Sequence, residues 1–221
     1  MTRLAIIHTT PATIDTLKAL ANELLPGVEV INFVDDSILP ELGRNGGDLS
    51  TVVERLIAYA RFAEHAGANI ILEACSSVGE LVTQMQAAVA IPVVRIDTAM
   101  AETAVKRGNR IGVAATLPTT LEPTTRLLRS IANTQGLNVA IQQELVSGAY
   151  QRLIAGDRDG HDALIVETLT RLSAATDVVV LAQASMARVL PRLSDDAQGR
   201  ILTSPRLAME RVRSIVEGAA A

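Results

Sequence analysis

Arg3-Leu-Ala-Ile-Ile-His-Thr-Thr-Pro-Ala-Thr-Ile14 recurs as Arg110-Ile-Gly-Val-Ala-Ala-Thr-Leu-Pro-Thr-Thr-Leu121. The second copy stands 107 residues on (110 against 3), with Arg, Thr, Pro and Thr in place among matching apolar positions. Further along, Asn69-Ile-Ile-Leu-Glu-Ala-Cys-Ser-Ser-Val78 aligns with Asp177-Val-Val-Val-Leu-Ala-Gln-Ala-Ser-Met186 at an offset of 108. Ala99-Met100 aligns with Ala208-Met209. Three blocks in the same order at nearly constant spacing identify two copies of one unit.

Each copy alternates short apolar runs with helical patterns. Strands are expected at 3–8, 28–34, 69–74 and 92–95, and again near 110–115, 137–142, 177–182 and 200–203. Helical patterns fill 11–24, 50–66, 77–88 and 97–107, then 118–133, 145–155, 160–174, 185–191 and 205–219. Such alternation implies parallel sheets covered by helices on both faces. The halves are expected to comprise 1–97 with 207–221, and 98–206. Ligands of such sheets bind beyond the carboxyl ends of the strands. Two related sheets facing each other would bring that edge to the interface between the halves. Pro11 and Pro118 occupy first-turn positions behind Thr9, Thr10 and Thr116, while Gly27, Gly67, Gly108 and Gly136 follow expected helix ends.

Nearly half of the 221 residues are apolar and a fifth are charged, as in a compact globular chain. The net charge of -4, with no basic run, argues against a nucleic-acid partner. No apolar run approaches the ~20 residues of a membrane span, and the N-terminus enters a strand without a secretory leader pattern. One cysteine cannot form an internal disulfide, which makes a reducing cytoplasm the expected location. His8, His65 and His161 show no ligand spacing with Cys75, so no metal is expected. With two Phe, two Tyr and no Trp, a pocket would suit a small polar ligand better than a stacked base or flavin.

Cys75 ends a strand-like run, and Ser76 and Ser77 follow it into a helical pattern. Free amides at a helix start favour an anion, so the thiol is expected to have a lowered pKa and to act as base or nucleophile. The competing reading is an inert buried cysteine. His8 ends the first strand, which should neighbour the third. It reads equally as a strand-end residue or as a partner of the thiol. Thr9 and Thr10, with Thr116, Thr119 and Thr120, form two related strand-to-helix loops whose hydroxyls and amides suit a carboxylate. They also suit helix capping, worth about 1 kcal/mol per cap. Ser185 corresponds to Ser77. Glu73 is expected to pair with Arg95 or, second, to lie near the site. His161 is expected to face solvent, His65 to be a surface or dipole-compensating residue, and Gly43–Gly47 to form a flexible loop that could cover the site.

Ala74-Cys75-Ser76, Thr116-Leu-Pro-Thr-Thr120 and Leu181-Ala-Gln-Ala-Ser-Met186 resemble motifs of the aspartate/glutamate racemase superfamily, which includes hydantoin racemases, maleate isomerases and arylmalonate decarboxylases. The resemblance spans the whole chain. It implies an α/β fold of two pseudo-twofold-related Rossmann-like halves, each a four-stranded parallel sheet flanked by helices. It also implies a small carboxylate substrate held at their interface, no cofactor, and a homo-oligomer. Members of this family use two cysteines on opposite faces of the substrate. Here Gln183 occupies the second cysteine's place. An amide cannot exchange protons as a thiol does, but it can donate to a developing oxyanion.

The expectation is therefore a one-sided site. Cys75 would be the single base, assisted by His8, with Gln183 stabilising an enediolate-like intermediate. An isomerase or epimerase of a small amino, hydroxy or keto acid comes first and a decarboxylase or other lyase second. A small-acid binding protein without catalysis is the alternative of another class. Thr9, Thr10, Ser76, Ser77, Thr116, Thr119, Thr120 and Ser185 are the expected substrate-binding residues.

Overall fold

A computed structural model describes residues 2–219. Residues 1, 220 and 221, assigned to the first half on sequence, lie outside the described residues. The chain divides into two compact units. One holds the residues up to Thr98 together with those from Pro205 onward, and the other is Ala99–Ser204.

The first unit runs β1 (Arg3–His8), α1 (Ile14–Leu24), β2 (Glu29–Val34), α2 (Ile38–Arg44), α3 (Val53–His65), β3 (Ile70–Glu73), α4 (Val82–Ala87) and β4 (Val93–Arg95). Its strands are all parallel, in the order β2-β1-β3-β4. The second unit runs α5 (Thr98–Arg107), β5 (Arg110–Ala115), α6 (Pro118–Thr134), β6 (Ala140–Leu145), α7 (Ala149–Ile154), α8 (Arg158–Ala175), β7 (Val178–Leu181), α9 (Asp195–Arg200) and β8 (Ile201–Thr203). Its sheet repeats the first, as β6-β5-β7-β8, again all parallel. The last helix, α10 (Ser204–Ala219), returns to the first unit.

The registers repeat as well. Leu4 lies opposite Ile70, and Ile111 opposite Val178. The Arg3 backbone N–H donates to Asn69 Oδ1 at 2.8 Å, and that of Arg110 to Asp177 Oδ2 at 2.9 Å. In both units the Asx residue before the third strand thus ties down the start of the first.

Strand alternation divides the first core into two. Ala5, Ile7, Ile71 and Cys75 face α3 and α4 through Leu56, Ala60 and Met85. Leu4, Ile6, Ile70, Leu72 and Ala74 face α1 and α10 through Leu17, Ala21, Ala208, Met209 and Val212. Burying both faces explains why these strands read as unbroken apolar runs rather than as alternation.

Several expectations need correction. Gly43 and Arg44 end α2 rather than lying in a loop. Pro40 sits in the first turn of α2, where a missing N–H costs no helix bond. α9 was not expected at all. The strand expected at 137–142 lies three residues later, because Leu137 belongs to the end of α6. Gly136 takes φ +66, and the Leu137 N–H donates to Ala132 O at 2.9 Å. This closes the helix in a Schellman turn before the strand can start. The helix expected at 185–191 is a 3-10 segment, Ala184–Arg192, containing Pro191.

Candidate active site

Cys75 stands two residues beyond Glu73, the last residue of β3, at the carboxyl edge of the first sheet. No α-helix begins there. A turn through Val78 leads into a short 3-10 segment, Gly79–Leu81, and α4 starts only at Val82. The expected helix-dipole effect on the thiol is therefore absent, but a local one replaces it. The backbone amides of Ser77 and Val78 pull its pKa down, although the Val78 N–H donates to the Cys75 carbonyl at 3.2 Å. The Thr9 hydroxyl acts in the same direction. Thr9 Oγ1 is buried and makes no fully formed hydrogen bond. It lies close enough to favour the thiolate without being aligned to bond it.

These influences lose to two others. Burial, with Cys75 only 9% exposed, and the neighbouring Glu73 carboxylate push the thiol up to about 11. The expectation of a low-pKa thiol is thus corrected, and Cys75 rests protonated at neutral pH.

Glu73 was expected to pair with Arg95, its register partner on β4. Instead Arg95 grips Asp97, with Nε to Oδ1 at 2.5 Å and Nη2 to Oδ2 at 2.9 Å. Arg95 is also packed so closely on Gly79 that a Cβ there would meet its Nε at 2.3 Å. Glu73 is fully buried. Its Oε1 accepts the Cys75 backbone N–H at 2.7 Å, and its Oε2 has no hydrogen-bond partner. Burial, reinforced by the Asp97 carboxylate, raises the Glu73 pKa well above the carboxylate range, against the pull of Arg95 and the Cys75 amide. Sequence reasoning ranked a structural pairing of Glu73 ahead of a place near the site. The available signal was its spacing, since positions two apart on a strand share a face.

His8 is not beside the thiol. It alternates onto the face of Leu4 and Ile6, whereas Cys75 packs on the opposite face with Ala5 and Ile7. Its Nδ1 pairs with Thr13 Oγ1 at 2.8 Å and its Nε2 with Asn32 Oδ1 at 2.9 Å. Burial lowers its pKa, partly offset by Asn32, so the ring is neutral and held on both nitrogens.

Gln183 occupies in the second unit the place of Cys75 in the first. Its Oε1 accepts from Thr116 twice, from the backbone N–H at 2.6 Å and from the hydroxyl at 3.0 Å. A backbone N–H can only donate, so this amide orientation is fixed and Nε2 remains the donor end. Thr116 therefore braces Gln183 rather than capping α6, whose N-cap is Leu117 without a side-chain bond. Thr10 does cap, accepting the Ala12 N–H at 3.3 Å. Ser76, Ser77 and Thr120 are buried and Thr119 is half-buried, while Ser185 is exposed on its 3-10 segment.

His65 is exposed as expected, but His161 is only 2% exposed. It pairs with Asp162 at 2.9 Å, and Asp162 in turn holds Arg188 at 2.6 Å and Arg192 at 3.3 Å. That cluster binds α8 to the segment following Gln183. Among the described residues, no group of three or more His, Cys, Asp or Glu could hold a metal ion, and no helix is long and apolar enough to cross a membrane.

The family model for Asp/Glu/hydantoin racemases matches residues 5–212. No curated protein matches the chain in sequence. Among solved structures, the chain is similar to an aspartate racemase homologue from Pyrococcus horikoshii, with TM-score 0.72, 20% identity and all of both chains covered. It is similar to glutamate racemase from Francisella tularensis in complex with D-glutamate, with TM-score 0.78 and 17% identity over 99% of this chain and 82% of that one. It also resembles a glycine-to-cysteine variant of arylmalonate decarboxylase, with TM-score 0.61 and 16% identity over 99% and 94%.

Proposed function

The chain belongs to the Asp/Glu/hydantoin racemase family, and from that premise we propose that it is a cofactor-independent isomerase or epimerase of a small carboxylic acid, with Cys75 as its one proton-transferring group. The observation that carries this reading is the setting of Cys75. It stands at the carboxyl edge of a parallel sheet, where the Thr9 hydroxyl and the amides of Ser77 and Val78 favour its thiolate. An inert core cysteine has no need of such surroundings.

In this reading Cys75 removes a proton α to the carboxylate and returns it to an adjacent carbon, which isomerises the acid. Gln183, its amide fixed by Thr116, donates from Nε2 to the oxygen on which charge develops. Thr9, Thr10, Ser76, Ser77, Thr119, Thr120 and Ser185 are the proposed source of hydroxyls and amides for the carboxylate. Racemisation by two thiols is not open to this chain, because Cys75 is its only cysteine.

One observation favours a second reading. A thiol resting protonated is a proton donor, which suits a decarboxylase that protonates its carbanion on one face. A panel of hydroxy, keto and amino acids and malonates, followed in deuterium oxide, separates the two. Exchange or isomerisation without loss of carbon dioxide supports the first reading, and release of carbon dioxide with one-sided deuteration supports the second. Turnover undiminished in Cys75→Ser would remove both.

A further inference from the structure

We infer that Glu73 is the internal base for Cys75, a buried carboxylate that takes the thiol proton and gives it back. The inference deepens the catalytic reading of Cys75 and rests on it. Three observations carry it. First, the Glu73 carboxyl is bonded to the backbone of the very residue it would serve, through Oε1 and the Cys75 N–H at 2.7 Å. Second, its other oxygen, Oε2, is fully buried with no partner, although Arg95 lies on the adjacent strand and is engaged by Asp97 instead. A buried acceptor left unpaired is destabilising, which selection for stability alone would remove. Third, the internal repeat supplies a control. Where the second unit has Gln183 for Cys75, it has Leu181 for Glu73, Thr203 for Arg95 and Pro205 for Asp97. The carboxylate is present in the unit with the thiol and absent from the one without it.

The step balances without any added reagent. The resting Glu73 carboxyl bonds the Cys75 backbone N–H and not Sγ, so the step requires it to turn an oxygen to the sulfur. The Sγ–H bond then breaks with its electron pair left on sulfur, an O–H bond forms on Glu73, and the negative charge passes from carboxylate to thiolate. The transfer also removes one of the two causes that hold the thiol protonated, because a neutral Glu73 no longer repels charge on sulfur. The Ser77 and Val78 amides and the Thr9 hydroxyl then oppose burial alone. The charged groups around Glu73 are Cys75, Arg95 and Asp97, with Glu80 acting on Arg95. A buried base poised above the ordinary carboxylate range is matched to this task near neutral pH. Acting through Cys75, Glu73 is a positioning residue rather than one that touches substrate.

The test is the rate of Cys75 alkylation by iodoacetamide against pH, on the full chain and on Glu73→Gln. A pair sharing one proton titrates in two steps. The wild-type rate should rise as Glu73 ionises, hold a plateau set by the thiolate–carboxylic acid tautomer, and rise again at high pH. The variant should show a single rise without a plateau, its midpoint about 1–3 pH units below the upper wild-type step. Superimposable profiles with a single step would overturn the inference. Should Glu73→Gln fail to fold, Glu73→Leu, carrying the residue of the second unit, gives the same readout. No substrate is needed, so failure here stays separate from failure of the catalytic reading, which turnover in Cys75→Ser decides.

Discussion

Gln183 Oε1 takes both donors of Thr116, the backbone N–H at 2.6 Å and the hydroxyl at 3.0 Å. The corresponding pair in the first unit is Cys75 and Thr9, where the hydroxyl stands beside sulfur instead of an amide oxygen. The same two positions thus hold a braced amide in one unit and a weakly assisted thiol in the other. Replacing Gln183 by Ala strands a part-buried N–H. The expected loss is about 1–3 kcal/mol, read from the urea midpoint at unchanged m-value. Gln183→Glu should keep most of it, since a carboxylate accepts from both Thr116 donors.

Gln183→Cys would place a thiol in the second unit. If the proposed site is one-sided for want of a second thiol, this variant should gain α-proton exchange with solvent deuterium on an acid the wild type binds without exchanging. Mass spectrometry of recovered ligand measures it. Absence of exchange in a folded variant counts against that account of the site.

Cys75 makes stability depend on pH in a defined window. Its folded pKa, about 11, lies above the ordinary thiol value of 9.0. The folded state therefore holds the proton longer than the unfolded chain. Stability is fully present below about pH 9 and declines as pH climbs toward 11, by at most about 1.4 kcal/mol for each pH step of one. The difference between wild type and Cys75→Ser across that range isolates the effect from other titrating groups. A constant difference would refute the raised thiol pKa.

Glu73→Leu should remove the pH dependence that Glu73 gives to stability. The raised carboxyl pKa means that folding is penalised as pH rises through the carboxylate range and beyond. Leucine, the residue at the matching position 181, escapes that penalty but strands the buried Cys75 N–H that Glu73 Oε1 accepts, at a cost of about 1–3 kcal/mol that does not vary with pH. Relative to wild type the variant should therefore gain stability as pH rises from about 4 to 7, measured by denaturant melts, and a difference flat with pH would refute the raised carboxyl pKa.

His8 gives the opposite pH sign. Its folded pKa is lowered by burial, so the unfolded chain binds the proton more readily. Stability from this site is present above about pH 6.5 and is lost as pH falls through the folded value. His8→Gln should flatten the acid limb of stability. The pH profile of Cys75 alkylation should not move, because the two side chains lie on opposite faces of the sheet.

The strands were legible wherever both faces are buried. Arg3–His8 and Arg110–Ala115 carry unbroken apolar runs, and the repeat located their partners. β6 was misplaced because it is an edge strand whose polar Gln143 and Glu144 read as loop. α2 was hidden by Pro40, a helix breaker anywhere but in the first turn. Cys75 and Gln183 were placed as counterparts by the repeat. What the sequence did not carry was the facing of side chains. His8 and Cys75 stand at the ends of adjacent strands, and only the register between those strands decides that they point apart. The thiol pKa was misjudged for a similar reason. The sequence marked a helix start after Cys75, but a turn intervenes and removes the helix-dipole effect, and the burial that raises the pKa is a tertiary property.

The sheet of the first unit is covered on one face by Ala208, Met209 and Val212 of α10, a helix that follows the last strand of the other unit. The repeat in the sequence and the folded body are therefore out of phase by one helix. The helix after each fourth strand crosses to the other unit, α5 leaving the first for the second and α10 leaving the second for the first. Cutting the chain at the repeat boundary would accordingly yield two incomplete pieces rather than two half-enzymes.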